Sequence, residues 1–407
     1  MDYEQLISKW LKTKLINKTQ STKMLEDIAK EKKESSSSKL ITIVSTIGAI
    51  LLGASALLFI SANWADMSSI MKSAILIGST FAAYIVGYYL KYEKENLPRL
   101  GSALLFLGGL LFGATVFLEA QIYNINADAH ILLLIWLIGL LPLAYATKFT
   151  PLAFISAVVF YFWLFFFVGE TGHIYNLPSS FFAPFFLLIS MLLFSIGGLH
   201  YLRPGYENFA KTYRYIGINV GIIALFFLTF QEFSTQIDNS NFHASIGLAV
   251  VALPTILISI ANLFFNPQKT KTFEIEGGVV LLISLLILVN YLFPGFTAPD
   301  YTDYMNYITA KGEPWTIIYT ILYNLAATAV ISTLIYIGNK RHNLRLVDMG
   351  MLYLTIFVIL KYSDWFWNRL EKSLFFFIGG ILLIAISIFL ERKRSELKID
   401  FSKPKKA

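Results

Sequence analysis

Residues 131–168 read ILLLIWLIGLLPLAYATKFTPLAFISAVVFYFWLFFFV, and Lys148 is their only charge. A helix needs about 20 apolar residues to cross the hydrocarbon core of a bilayer, and this run is nearly twice that long. Its one polar interruption is Thr147, Lys148 and Phe149, so it reads as two membrane spans joined by a tight hairpin.

The same pattern recurs outward in both directions. Spanning length and polar breaks give twelve candidate spans, centred on 41–62, 70–90, 100–120, 131–146, 150–168, 180–201, 213–230, 244–265, 275–292, 315–337, 344–361 and 373–390. The composition agrees. Over 407 residues the chain is 56% hydrophobic and 14% charged, with a mean hydropathy of +0.62, against about 25% charged residues in an average soluble chain. An ordinary soluble enzyme, a disordered chain and a nucleic-acid binder are all excluded by that gap. The fold class is all-α, a polytopic transmembrane bundle of about twelve spans.

Three segments follow. Residues 1–39 are polar: Leu6, Trp10, Leu11, Leu15 and Ile16, then Met24, Leu25 and Ile28, fall at helical spacing on either side of Asn17–Gln20. They predict a helical hairpin packed through Leu6, Trp10, Leu25 and Ile28, with Ser21 or Thr22 capping its second helix and Ser35–Ser38 as a flexible link. Residues 40–390 are the membrane domain and 391–407 a basic tail. With no cleavable signal peptide evident, the first apolar run acts as an uncleaved anchor.

Basic residues set the orientation. With the N-terminus cytoplasmic, the inward segments hold 28 of the 33 Lys and Arg, leaving Lys72, Lys311, Lys361, Arg369 and Lys372 outside. This bias predicts a multi-pass protein of a bacterial inner membrane with both termini in the cytoplasm. Membrane lipids are the expected partners, with a protein partner for residues 1–39 as a further option and no nucleic acid.

Small residues recur every four positions at Ser45, Ala49 and Gly53, at Gly109 and Gly113, and at Gly217 and Gly221. They predict close helix crossings, more readily within the chain than between copies. Asn219, Asn262, Asn290 and Asn324 suit interhelical hydrogen bonds, and Asp348 has a pairing partner in Arg345 one turn earlier.

Catalytic signatures are missing. Zero cysteines exclude disulfides and thiolate chemistry, and neither a GxSxG elbow nor a Walker A loop occurs. The five histidines, His130, His173, His200, His243 and His342, never pair at i,i+3 or i,i+4, which argues against a compact metal motif and for no cofactor. The loop about 293–314, with Phe293, Phe296, Tyr301, Tyr304, Tyr307, Asp300 and Asp303, suits either a sugar or head group or an interfacial aromatic anchor.

The stretch Gly48–Trp64 (GAILLGASALLFISANW), Phe117–Tyr123 (FLEAQIY) with Asp128, and Leu141–Tyr145 (LPLAY) resembles the bacterial predicted-membrane-protein family catalogued as domain of unknown function 2157. Lys361–Asp364, Ser373–Gly380 (SLFFFIGG) and Glu391–Arg394 resemble the C-terminal pattern of its longer members. The resemblance implies the architecture and supplies no activity.

The segments that carry it fall on the outward ends of helices under one orientation: Asn63, Trp64 and Asp66; Glu119, Gln121 and Tyr123; Lys361, Asp364 and Arg369. They are the candidate substrate-binding residues of one outward polar pocket, with Glu119 held by Lys361 or Arg369 and Trp64 as an apolar wall. The alternative is that each group caps its own helix. Three functions remain open: a carrier or flippase for an amphipathic envelope intermediate, a non-catalytic scaffold, and a transferase acting on lipid-linked substrates. Enzymatic activity is the less supported side of that choice, and no catalytic residue is assigned.

Overall fold

The computed structural model describes residues 7, 10, 15, 17, 19–26, 62, 64–95, 97–177, 181–234, 242–266, 271–292 and 314–402. From Ser69 on, the described residues form twelve α-helices and no strand: α1 Ser69–Tyr88, α2 Pro98–Ile122, α3 Ala129–Thr147, α4 Thr150–Ile174, α5 Phe182–Leu199, α6 Glu207–Leu228, α7 Gln231–Ser234, α8 Phe242–Phe265, α9 Lys271–Leu292, α10 Pro314–Lys340, α11 Leu344–Phe366 and α12 Lys372–Ser402. Nine of the described helices are long and apolar enough to cross a membrane. Helices α6 and α11 have the length, but their charged residues (Lys211 and Arg214; Arg345, Asp348 and Lys361) set them apart. Eleven of the twelve expected spans thus fall on helices. The first, 41–62, lies outside the described residues up to position 61, as do Ser45, Ala49, Gly53, Asn63 and the 293–313 part of the aromatic loop.

The chain divides into two compact units, Met1–Gly78 and Ser79–Ala407. In the first, residues 19–26 are helical. Their cap is neither Ser21 nor Thr22. The Gln20 amide donates to Asn17 Oδ1 at 2.8 Å while the Asn17 amide donates to Gln20 Oε1 at 2.9 Å, a reciprocal capping box that satisfies two donors at once. Trp10 and Leu25 are exposed, and Ile7 is buried. Of the residues expected to pack the hairpin, Leu6 and Ile28 lie outside the described residues.

In the second unit the hairpin of α3 and α4 turns at the expected place. Lys148 adopts a left-handed backbone (φ 50°, ψ 33°), and the Phe149 amide reaches back to the Ala144 carbonyl at 3.1 Å. That turn satisfies the last carbonyls of α3, and Pro151 then starts α4 where its missing N–H costs nothing. Two cores result. One joins the first halves of α4 and α6 with α2 and α3 through Leu140, Leu152, Phe209 and Tyr213; the larger joins α5, α6 and α8–α11 through Leu188, Leu225, Leu248, Ile287 and Tyr323.

Lipid is as apolar as a leucine side chain, so close packing and interhelical hydrogen bonds must hold such a bundle. Gly217 shows the first. A Cβ there would lie 2.7 Å from the Ser190 carbonyl of α5, so α5 and α6 touch backbone to backbone. Gly113 likewise faces the indole of Trp136, whose Nε1 donates to the Gly109 carbonyl at 2.9 Å. Both glycine pairs serve packing within the chain.

The four asparagines supply the hydrogen bonds. Tyr353 donates to Asn219 Oδ1 at 2.6 Å, Asn262 to the Ser195 carbonyl at 2.7 Å, Asn290 to the Tyr323 hydroxyl at 2.9 Å and Asn324 to the Thr229 carbonyl at 2.9 Å. Each ties two different helices together.

Asp348 corrects an expectation. Its partner is Arg394 of α12, whose Nε and Nη2 donate to Oδ1 and Oδ2 at 2.6 and 2.9 Å. The planar guanidinium meets both carboxylate oxygens across the helix pair, a geometry that Arg345 three residues away does not provide. The helical run of α12 continues through the basic segment, reaching Ser402.

Candidate functional site

At the end of the bundle where α6 and α11 finish and α10 begins lies a groove of about 910 Å³. Thr229, Phe230 and Gln231 form its floor, Ile317–Thr328 of α10 one wall, and Phe357–Phe366 of α11 the other, with Arg369 and Leu382 at the rim. Three of the sequence-predicted residues, Lys361, Asp364 and Arg369, line it together.

Lys361 is its central group. Only 8% of the residue is exposed, and Nζ donates to the Thr229 carbonyl at 2.7 Å. The Asp364 carboxylate is 3.4 Å from Nζ, and the Phe230 ring centroid lies 4.2 Å away. A buried ammonium is costly unless it is paired and hydrogen-bonded, and each contact here reduces that cost. Thr229 caps α6, so its carbonyl stands at the negative end of the helix dipole, where a cation is favoured.

That carbonyl has two lone pairs, and both are used. Asn324 Nδ2 donates to it at 2.9 Å and to the Thr320 carbonyl of its own helix at 2.7 Å, so α6, α10 and α11 converge on one oxygen. The Thr229 hydroxyl turns inward to the Phe226 carbonyl at 2.7 Å. Lys361 has three N–H donors. One is committed to Thr229 and one is shared at long range with Asp364, which leaves capacity for an anion entering the groove.

The aromatic side is equally fixed. Tyr362 donates to the Phe375 carbonyl at 2.7 Å and stacks on its ring at 4.8 Å, joining α11 to α12. Trp367 packs on the same ring at 5.3 Å, with Lys372 Nζ 3.8 Å over its indole. Trp365 and Arg369 are exposed at the mouth.

The remaining candidates are not among the residues that line it. Glu119 and Gln121 belong to the last turns of α2, and Tyr123 caps that helix. None of the three lines the groove. Trp64 and Asp66 belong to the first unit, where Lys72 Nζ is 5.4 Å over the Trp64 indole and Asp66 is exposed. The groove forms from one of the three sequence segments, together with Thr229, Phe230 and Asn324, which no local pattern marks as a site.

A second polar cluster occupies the opposite end. Glu276 of α9 takes Arg214 of α6 on one carboxylate oxygen and Arg341 on the other, the latter at 2.9 Å. Arg214 is 8% exposed, and its guanidinium packs 4.1 Å over the Phe194 ring and 5.0 Å over Phe273. Beside Glu276, between α5, α6, α9 and α10, lies an apolar cavity of about 90 Å³ lined by Met191, Gly217, Gly221 and Ile283. On the same end Tyr145 meets His200 Nε2 at 2.7 Å, while His200 Nδ1 faces the Ile196 carbonyl at 2.8 Å. A carbonyl only accepts, so the proton is on Nδ1 and the tyrosine hydroxyl donates to Nε2.

The family model described as "Predicted membrane protein (DUF2157)" matches residues 8–153. That stretch ends just inside α4, so the Lys361 groove and the Arg214 cluster lie beyond it. No curated protein and no solved structure matches the chain.

Proposed function

We propose that this membrane protein binds the anionic head group of an amphipathic, lipid-type molecule in the Lys361 groove and acts as a carrier or flippase for an envelope intermediate of that kind. The observation that carries the reading is the placement of a largely buried ammonium at the floor of a wide groove. Charged and aromatic residues (Lys361, Asp364, Trp365, Arg369) line that groove together with apolar ones (Ile317, Ile321, Leu325, Val358, Leu382). Such a combination suits a molecule with an ionic head and a hydrocarbon tail.

The proposed setting is a bacterial inner membrane with both termini cytoplasmic, as the bias of 28 among 33 basic residues favours. The contacts of Lys148 with Tyr206, Arg341 with Glu276 and Arg394 with Asp348 gather basic side chains at the end away from the groove. In that orientation the groove opens outward. The transferase alternative has less support there, because among the described residues lining the groove Asp364 is the single carboxylate, and two-carboxylate chemistry needs a pair.

The test is lipid selectivity of the full chain in detergent, read by native mass spectrometry with phosphatidylglycerol and phosphatidylcholine of matched chains. The proposal expects the anionic lipid to be retained preferentially and the preference to fall at least tenfold in the double variant Lys361→Met, Arg369→Ala. Equal retention of both lipids by the unaltered chain would contradict it.

A further inference from the structure

A third cluster lies apart from both the groove and the Arg214 network. Asp128 precedes α3, His130 is in the first turn of α3, and Glu170 is in the last turns of α4. One donor atom from each lies within 4.8 Å of the others. His130 Nδ1 and Glu170 Oε2 are 2.6 Å apart.

Two details distinguish this cluster from a surface ion pair. Asp128 stands at the N-cap of α3, where an aspartate ordinarily accepts a hydrogen bond from the helix amides, yet its side chain makes no such bond. The His130 Nδ1 atom is shielded from solvent and makes no aligned hydrogen bond, although a carboxylate oxygen is in reach. Phe167, one turn before Glu170, packs its ring at 5.8 Å and 65° to the imidazole, which restrains the ring's tilt. Imidazole nitrogen and carboxylate oxygens thus converge without satisfying one another, and two carboxylates this close repel unless a cation lies between them.

We propose that Asp128, His130 and Glu170 form a binding site for a divalent transition-metal ion of the zinc class. One imidazole and two carboxylates are a donor set that suits zinc, with its fourth position left to water or to a bound molecule. Donor atoms around a tetrahedral zinc with bonds of about 2.0–2.1 Å stand roughly 3.3 Å apart. The His130–Glu170 pair therefore opens slightly on binding and Asp128, which is exposed, swings in. The sequence hides this site: His130 follows Asp128 at i+2, and Glu170 belongs to the next helix. Histidine spacing alone does not reveal such a site.

The test uses the full chain in detergent, stripped of metal and titrated with Zn²⁺ by calorimetry and with Co²⁺ by visible absorption. One Zn²⁺ per chain is expected, with the dissociation constant rising at least tenfold in His130→Ala and in Glu170→Gln and the Co²⁺ band lost in both. Glu170→His replaces one ligand by another and should retain binding, whereas it would break a simple ion pair. No saturable binding by the unaltered chain, or unchanged affinity in His130→Ala and Glu170→Gln, would overturn the site. Should those two variants fail to fold, Glu170→His decides: retained zinc supports the proposal and lost zinc overturns it.

Discussion

The Lys361 ammonium donates to the Thr229 carbonyl at 2.7 Å, so the one lysine that α11 buries is held by the end of α6. The hydrogen bond crosses between helices distant in sequence, and it fixes a positive charge at the floor of the groove. Its neighbours divide the work: Asn324 saturates the same carbonyl, while Asp364 balances part of the charge.

Lys361→Met should separate binding from folding. Methionine keeps the stem volume and removes the charge, and Thr229 keeps its bond from Asn324. We expect a stability change of no more than about 1–2 kcal/mol, the scale of a net hydrogen bond, with loss of anionic-lipid preference. Arg369→Ala, at the exposed rim, should weaken the preference without moving the unfolding midpoint. Thermal unfolding in detergent alongside lipid retention checks both.

Glu276→Ala leaves Arg214 buried without its carboxylate. Removing one member of a buried ion pair costs about 3–5 kcal/mol, because the other charge stays desolvated. Arg341→Ala, whose side chain is more exposed, should cost clearly less. If thermal unfolding ranks the two variants equally, Arg214 is not stabilised through Glu276.

Gly217→Ala inserts a methyl group against the Ser190 carbonyl. Overpacking of this kind costs about 1–3 kcal/mol, and the α5–α6 contact has backbone on both sides, so a side-chain rotation cannot relieve it. Gly278→Ala, where a Cβ meets nothing within 4 Å, is the control and should be near neutral.

Most of the architecture was legible in the sequence because spanning length and charge bias are local signals. Thr147–Phe149 marked the hairpin, and the four asparagines marked helix contacts, since an amide in an apolar run has few alternatives to another helix. Long-range pairing was not legible. Arg394 lies 46 residues from Asp348, and Arg214 lies 62 from Glu276, so local spacing offers Asp348 only Arg345 and no local pattern marks Glu276. In the candidate site, Lys361, Asp364 and Arg369 were legible as charges where a span ends, whereas Thr229 contributes only a backbone carbonyl, which no side-chain pattern encodes. Glu119 shares their end of a helix, but an end position does not specify which neighbours a helix packs against.

Whether an anionic head group occupies the Lys361 groove is decided by photo-cross-linking. A phosphatidylglycerol carrying a diazirine in its acyl chain, irradiated with the chain in vesicles, should label Ile317–Leu325 and Phe357–Leu360 above all other segments. That labelling should fall at least fivefold in Lys361→Met, Arg369→Ala. Labels spread evenly over the exposed apolar faces of the bundle, unchanged in the double variant, would rule out head-group binding in the groove.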